Sequence, residues 1–140
     1  MVRRMEEALI MLLTGGIIYF YFEILVRGYS HLSMFILGGV CFYLVGRLGN
    51  VILIGKGNIL FRLTIVMLLS GLIITSLEFV TGVLVNITMG LRVWDYSQME
   101  YNFMGQICLL YSMIWSLLGL PCVYFYGTIK RFVIDGEDET

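Results

Sequence analysis

Four apolar segments, each long enough to cross a lipid bilayer, limit the folds that are open to this chain of 140 residues. About 20 residues of α-helix span the hydrocarbon core, and the continuous apolar runs exclude a β-barrel, whose strands alternate. Only 14% of the residues are charged, against about a quarter in soluble domains. The sequence therefore predicts an all-α membrane protein, a bundle of four transmembrane helices in contact with the lipid bilayer. The predicted spans are about 8–26, 32–54, 63–87 and 103–126.

Lysine and arginine are distributed unevenly between the two sides of this predicted bundle. With the N-terminus placed inside, seven of the nine fall on the inner side and only Arg27 and Arg92 on the outer side. Basic residues favour the cytoplasmic side, so both termini are predicted to be cytoplasmic. We expect one transmembrane domain over residues 1–134, an outer loop at 89–102 and an acidic cytoplasmic tail at 135–140. The seven inner residues are Arg3, Arg4, Arg47, Lys56, Arg62, Lys130 and Arg131.

A weak similarity relates the first half of the chain to the second. Gly16 and Gly71 are each followed, seven residues later, by a glutamate, Glu23 and Glu78. This alignment fits a two-plus-two internal repeat of parallel hairpins, although apolar sequence of low complexity also produces such matches by accident.

Charged and polar side chains recur at helical spacing near the predicted outer ends of the spans. Glu23, Arg27 and His31 are four residues apart and share one face of a helix. At 1.5 Å per residue, Glu23 and Glu78 lie about 21 and 23 Å into their spans, in the outer half of a core about 30 Å thick. Ionisable groups within spans are costly and usually functional. A charge network that only fixes helix register is the alternative.

These residues predict one polar site in the outer half of the membrane. The predicted substrate or proton site consists of Glu23, Arg27, His31, Glu78 and Asn86. The predicted lid over it is Trp94, Asp95, Tyr96 and Ser97. The chain has one histidine and no C-x-x-C pair, so neither a metal nor another cofactor is expected. The net charge of −1 gives no sign of nucleic-acid binding.

Several short motifs resemble the ABC-transporter type IV (CmpB-like) permease family, over nearly the whole chain. The resemblance implies a multi-pass protein of the bacterial inner membrane and assigns no substrate or catalytic residue. The motifs are Glu23-Ile-Leu-x-Arg27-Gly28-x-Ser30-His31, Gly38-Gly39-x-Cys41-Phe42, Glu78-Phe79-x-x-Gly82, Asn86, Trp94-Asp95-Tyr96-Ser97, Asn102 and Gly105-Gln106-Ile107.

The sequence leaves three functions open, and transport is the first. Four spans do not easily enclose a pathway, so a permease-like component would form a homo-oligomer or act with partner membrane subunits. The chain has no Walker motif, so ATP hydrolysis would need a separate ATPase subunit. The second function is a membrane-embedded enzyme that acts at the outer leaflet through its carboxylates and His31. The third is a structural or regulatory membrane subunit that transports nothing.

Overall fold

Four long helices make up most of the chain in the computed structural model, which describes residues 2–134 and 136. They are α1 (Val2–Arg27), α2 (Leu32–Ile54), α3 (Ile59–Gly82) and α4 (Leu109–Ile129). The π-helical segment Val83–Thr88 continues α3, and Lys130–Ile134 continues α4. Within the described residues, all four are long and apolar enough to cross a membrane. The prediction of a four-helix membrane protein is confirmed; the predicted tail, except Gly136, lies outside the described residues.

Helix α2 is the centre of the packing, because it contacts α1, α3 and α4, whereas α1 packs chiefly against α2. Glycines bring the backbones together at these contacts. Gly39 of α2 faces the backbone carbonyl of Leu12 in α1, and Gly71 of α3 faces Ser116 of α4. Small residues matter at such contacts since lipid provides no hydrophobic force between helices. The weak packing of α1 on α4 leaves a groove between these two helices.

Both described ends of the chain lie on the same side of the bundle. The hydroxyl of Tyr126, near the end of α4, donates a hydrogen bond of 2.7 Å to Glu7 in the second turn of α1. The ammonium of Lys130 lies 3.2 Å from the same carboxylate. We call this end the terminal side and the opposite end the loop side. Which of them faces the cytoplasm, and whether the chain is a two-plus-two repeat, stay predictions.

Side-chain caps determine where α2 and α3 begin. The Nδ1 atom of His31 accepts a hydrogen bond of 3.1 Å from the backbone N–H of Ser33, and thereby caps α2. Asn58 caps α3 in the same way, accepting from the N–H of Leu60 at 2.8 Å. Such caps satisfy backbone donors that the first helical turn leaves without partners.

A short β-hairpin precedes α4 and occupies residues that were expected to start the fourth span. Strands β1 (Asn102–Phe103) and β2 (Ile107–Cys108) pair antiparallel, with Phe103 opposite Ile107. The turn places Met104 and Gly105 at φ of 54° and 68°. Helix α4 consequently begins at Leu109 instead of near residue 103, and the segment between helices extends to Cys108. Two-residue strands are too short to produce a periodic pattern in the sequence.

Candidate functional site

Two buried glutamates lie near the loop side of the bundle. Glu23, in the last turns of α1, is 4% exposed, and Glu78, in α3, is 2% exposed. A carboxylate in a membrane protein interior is stable only if hydrogen-bond donors or opposite charges replace its lost hydration. The partners of the two glutamates differ in kind.

Glu23 forms an ion pair within its own helix. The guanidinium of Arg27, one turn further along α1, donates to one carboxylate oxygen of Glu23 at 2.8 Å. The hydroxyl of Ser30 donates to the other oxygen, also at 2.8 Å. Such charge-assisted bonds are stronger than neutral ones, so both oxygens of Glu23 are satisfied at the rim of the bundle.

Arg27 also connects α1 to the segment that follows α3. Its second terminal nitrogen donates to the backbone carbonyl of Val93 at 2.6 Å and to the hydroxyl of Tyr29 at 3.0 Å. The guanidinium therefore has three partners: the Glu23 carboxylate, the Val93 carbonyl and the Tyr29 hydroxyl. The ion pair holds the loop segment against the end of α1.

Glu78 is bound by two neutral donors. The hydroxyl of Tyr96 donates to one oxygen and the indole N–H of Trp115 to the other, each at 3.0 Å. Among the described residues, no lysine, arginine or histidine nitrogen lies within 4 Å of this carboxylate. Glu78 is thus an acidic group in an apolar part of the bundle with no cation of the described residues beside it.

Aromatic rings hold these two donors in place. The ring of Tyr96 stacks on Tyr111 with centroids 4.8 Å apart, and Tyr111 lies 6.0 Å from Trp115. On its other side, Trp115 approaches Tyr19 of α1 at 6.3 Å. Burial and the nearby Glu78 carboxylate raise the pKa of Tyr96 above its usual value, so its hydroxyl stays a donor at neutral pH.

An apolar groove between α1 and α4 ends at this site. Its volume is about 450 Å³, and Glu78 is the acidic residue in its lining. Ile18 and Phe22 of α1 and Phe125 of α4, all about half exposed, line its open side on the outer surface of the bundle. Tyr19 and Trp115 line it beside the carboxylate. The arrangement can present one acidic group to an apolar or amphipathic molecule that enters from the membrane.

Asn86, in the π-helical segment after α3, connects that segment to the loop and the hairpin. Its carbonyl oxygen accepts from the backbone N–H of Val93 at 2.7 Å, and its amide nitrogen donates to the Gln106 side chain at 2.8 Å. The indole of Trp94 donates to the backbone carbonyl of Gln106 at 3.0 Å. These bonds keep the loop folded over the bundle.

The four residues of the predicted lid alternate in direction. Trp94 is buried and Tyr96 half-buried, whereas Asp95 and Ser97 are exposed. The carboxylate of Asp95 accepts from the backbone N–H of Ser97 at 2.8 Å. Hydrogen bonds from Ser97 lower the pKa of Asp95. Asp95 thus stabilises the turn on the outside, and Tyr96 is the lid residue that reaches an acidic group.

A family model described as "Putative ABC-transporter type IV" matches residues 9–137 of the chain, which include both glutamates and the whole loop. The chain belongs to this family. The suspected resemblance is confirmed. No match was found among curated proteins or among solved structures.

In this ABC-transporter type IV protein, the predicted site residues form two adjoining groups. Glu23 and Arg27 pair at the rim, while Glu78 lies beneath Tyr96. Asn86 contacts the loop and not the carboxylates. His31 joins neither group, because its ring caps α2 and lies more than 4 Å from any carboxylate oxygen of the described residues.

Trp115 and Gln106 contact the candidate site but were not among the predicted site residues; Gln106 was named only within the family motif Gly105-Gln106-Ile107. Trp115 lies on the face of α4 that carries Ser112, Ser116 and Gly119, so the same helical spacing could have identified it. Helical spacing gives no signal for Gln106, because its contacts depend on the hairpin. The described residues contain no group of three histidine, cysteine, aspartate or glutamate side chains that could hold a metal ion.

Proposed function

We propose that this multi-pass protein is a permease-like transport component with its polar site in the outer half of the bacterial inner membrane. The observation that carries the proposal is the position of Glu78 at the end of an apolar groove on the outer surface of the bundle, where lipid would surround it in a membrane. An intramembrane carboxylate bound only by neutral donors remains available to a cation or a proton, whereas Glu23 already has Arg27. The proposed site consists of Glu23, Arg27, Glu78 and Asn86 with the loop 94–97 as its lid.

The proposal includes partners, since four helices do not easily enclose a pathway for a substrate. We expect the chain to form homo-oligomers or to assemble with other membrane subunits and a separate ATPase. The family name supports an ATPase partner, and the sequence itself contains no Walker motif.

Affinity purification from the native membrane in mild detergent tests this function. We expect an ATPase subunit to copurify, with ATP hydrolysis that decreases in Glu78→Gln while the complex stays intact. The matched control is Glu100→Gln, in the exposed part of the loop, which should leave hydrolysis unchanged. A chain that purifies alone would favour the third function, a subunit that transports nothing.

Cysteine labelling tests the proposed orientation. Lys56→Cys, in the turn between α2 and α3, should react with an impermeant maleimide from the cytoplasmic side, and Gln98→Cys only from the opposite side. Background labelling should be small because Cys41 and Cys108 are buried and Cys122 is half-buried. Reaction of Gln98→Cys from the cytoplasm would contradict cytoplasmic termini.

A further inference from the structure

A polar cavity lies at the terminal side, at the end of the bundle opposite to Glu78. It has a volume of about 540 Å³ and lies between α1, α2 and the end of α4. Among the residues that the structure describes, four cationic side chains and one carboxylate line it, an excess of three positive charges. The cations are Arg4, Arg47, Lys130 and Arg131, and the carboxylate is Glu7.

Glu7, the one carboxylate that the described residues contribute to this cavity, is already neutralised by its own partners. Glu7 accepts from the Tyr126 hydroxyl at 2.7 Å and lies 3.2 Å from the Lys130 ammonium. The three arginines come from α1, α2 and the π-helical end of α4. None of the three has a carboxylate within 4 Å among the described residues. Three guanidinium groups from three helices therefore converge on one polar space.

We propose that this cavity binds the phosphate headgroup of an anionic membrane lipid. The planar guanidinium matches two phosphate oxygens at once, which makes arginine well suited to bind phosphate. Basic pockets between transmembrane helices, at the ends of the spans, are typical sites for such headgroups. The proposal does not depend on the function of Glu78, because the two sites share no residue.

The wall of the cavity favours a lipid over a soluble phosphate compound. Val51 and Ile54 of α2 line it and are 67% and 78% exposed, so apolar surface continues from the arginines toward the bilayer. An acyl chain would cover this surface while the phosphate contacts the arginines. A soluble phosphate would leave Val51 and Ile54 uncovered.

Thermal unfolding of the full chain in detergent tests the proposal. A ligand that binds only the folded state raises the Tm in a saturable way. We expect such a rise with dioctanoyl-phosphatidylglycerol, and none with dioctanoyl-phosphatidylcholine or inorganic phosphate at the same concentrations.

Substitution of the arginines provides the matched comparison. Each cation near a membrane surface contributes about 1 kcal/mol toward anionic lipid, which corresponds to about five-fold in affinity. Arg47→Gln/Arg131→Gln should therefore weaken phosphatidylglycerol binding about 25-fold, with an unchanged Tm in the absence of lipid because both side chains are exposed. Lys56→Gln/Arg92→Gln, which removes two cations outside the cavity, should bind like the parent.

Three results would overturn the proposal. An equal Tm rise with inorganic phosphate would identify a soluble ligand instead of a lipid. Unchanged affinity in Arg47→Gln/Arg131→Gln would mean that phosphatidylglycerol binds elsewhere. A Tm rise that occurs only in a variant ending at Ile134 would mean that the acidic residues 135–140, and not a lipid, neutralise the cavity in the full chain.

Discussion

At the loop side, the Glu78 carboxylate is 2% exposed and bound by two neutral donors, whereas at the terminal side Arg47 and Arg131 are exposed and line an open cavity. At the loop side, donors within the protein hydrogen-bond to both buried carboxylates, and of the two only Glu23 is paired with a cation among the described residues. The terminal side leaves guanidinium groups directed at a space that another molecule can fill. We therefore expect that substitutions at the loop side destabilise the protein, and that substitutions at the terminal side change ligand binding with little effect on stability.

The largest effect should follow from Arg27→Ala. This change leaves the buried Glu23 carboxylate without its cation and removes the bond to the Val93 carbonyl. Loss of one partner from a buried pair costs about 3 to 5 kcal/mol, and the lower end applies because the Arg27 side chain is 28% exposed. Denaturation in detergent measures the change. Glu23→Gln/Arg27→Ala should recover part of the loss; a single variant as stable as the parent would contradict the importance of the pair.

Asn86→Ala should have the next largest effect. It leaves the buried N–H of Val93 without an acceptor and removes the bond to Gln106, which we expect to cost about 2 kcal/mol. Hydrogen exchange at the Val93 amide should accelerate, because the loop opens more often. The control is Thr88→Ala, whose exposed hydroxyl bonds only within its own helical segment. Equal exchange in Asn86→Ala and the parent would mean that Asn86 does not hold the loop.

Tyr96→Phe tests one of the two neutral donors to Glu78. Loss of this bond should destabilise the protein by about 1 kcal/mol at neutral pH. Because the folded-state pKa of Tyr96 is raised, its contribution is present below the unfolded-state value of about 10 and is lost as the pH rises above it. The difference in stability between parent and variant should therefore shrink above about pH 10.

The matched control for this variant is Tyr111→Phe. The Tyr111 ring stacks on Tyr96, but its hydroxyl has no partner among the described residues. The Tyr111→Phe variant should be as stable as the parent. If Tyr111→Phe and Tyr96→Phe lose equal stability, the stacking of the rings matters and the bond to Glu78 does not.

Arg47→Gln, at the terminal side, should have the smallest effect. The guanidinium is exposed, and its bond to the Tyr43 hydroxyl is on the surface. Surface substitutions of this kind usually change the free energy of unfolding by less than about 0.5 kcal/mol. A loss comparable to that of Arg27→Ala would remove the difference between the two ends on which our interpretation depends.

Sequence periodicity predicted the parts of this structure that are local. The four spans follow from continuous apolar runs, and the Glu23–Arg27 pair follows from i, i+4 spacing on one helix. The role of His31 was not predicted by its spacing. The spacing grouped it with Glu23 and Arg27, but its ring caps the start of α2 instead.

The partners of Glu78 could not be predicted from spacing. Tyr96 lies 18 residues away along the chain and Trp115 lies 37 residues away, so both contacts depend on how the loop folds over α3 and α4. The groove beside them depends on α1 packing chiefly against α2 and only weakly against α4. Such tertiary relations leave no periodic signal in a single sequence.

Carbodiimide labelling tests the central claim most directly, namely that Glu78 is the acidic group reached from lipid. Dicyclohexylcarbodiimide dissolves in the apolar phase, where carboxyl groups that it can reach add to its central carbon. In membranes that contain the parent protein, we predict modification of the peptide with Glu78, which lines the groove, and none of the peptide with Glu23, which does not line it and is paired with the Arg27 cation. Glu78→Gln should abolish the modification. Preferential labelling of Glu23, or labelling that persists in Glu78→Gln, would contradict the claim.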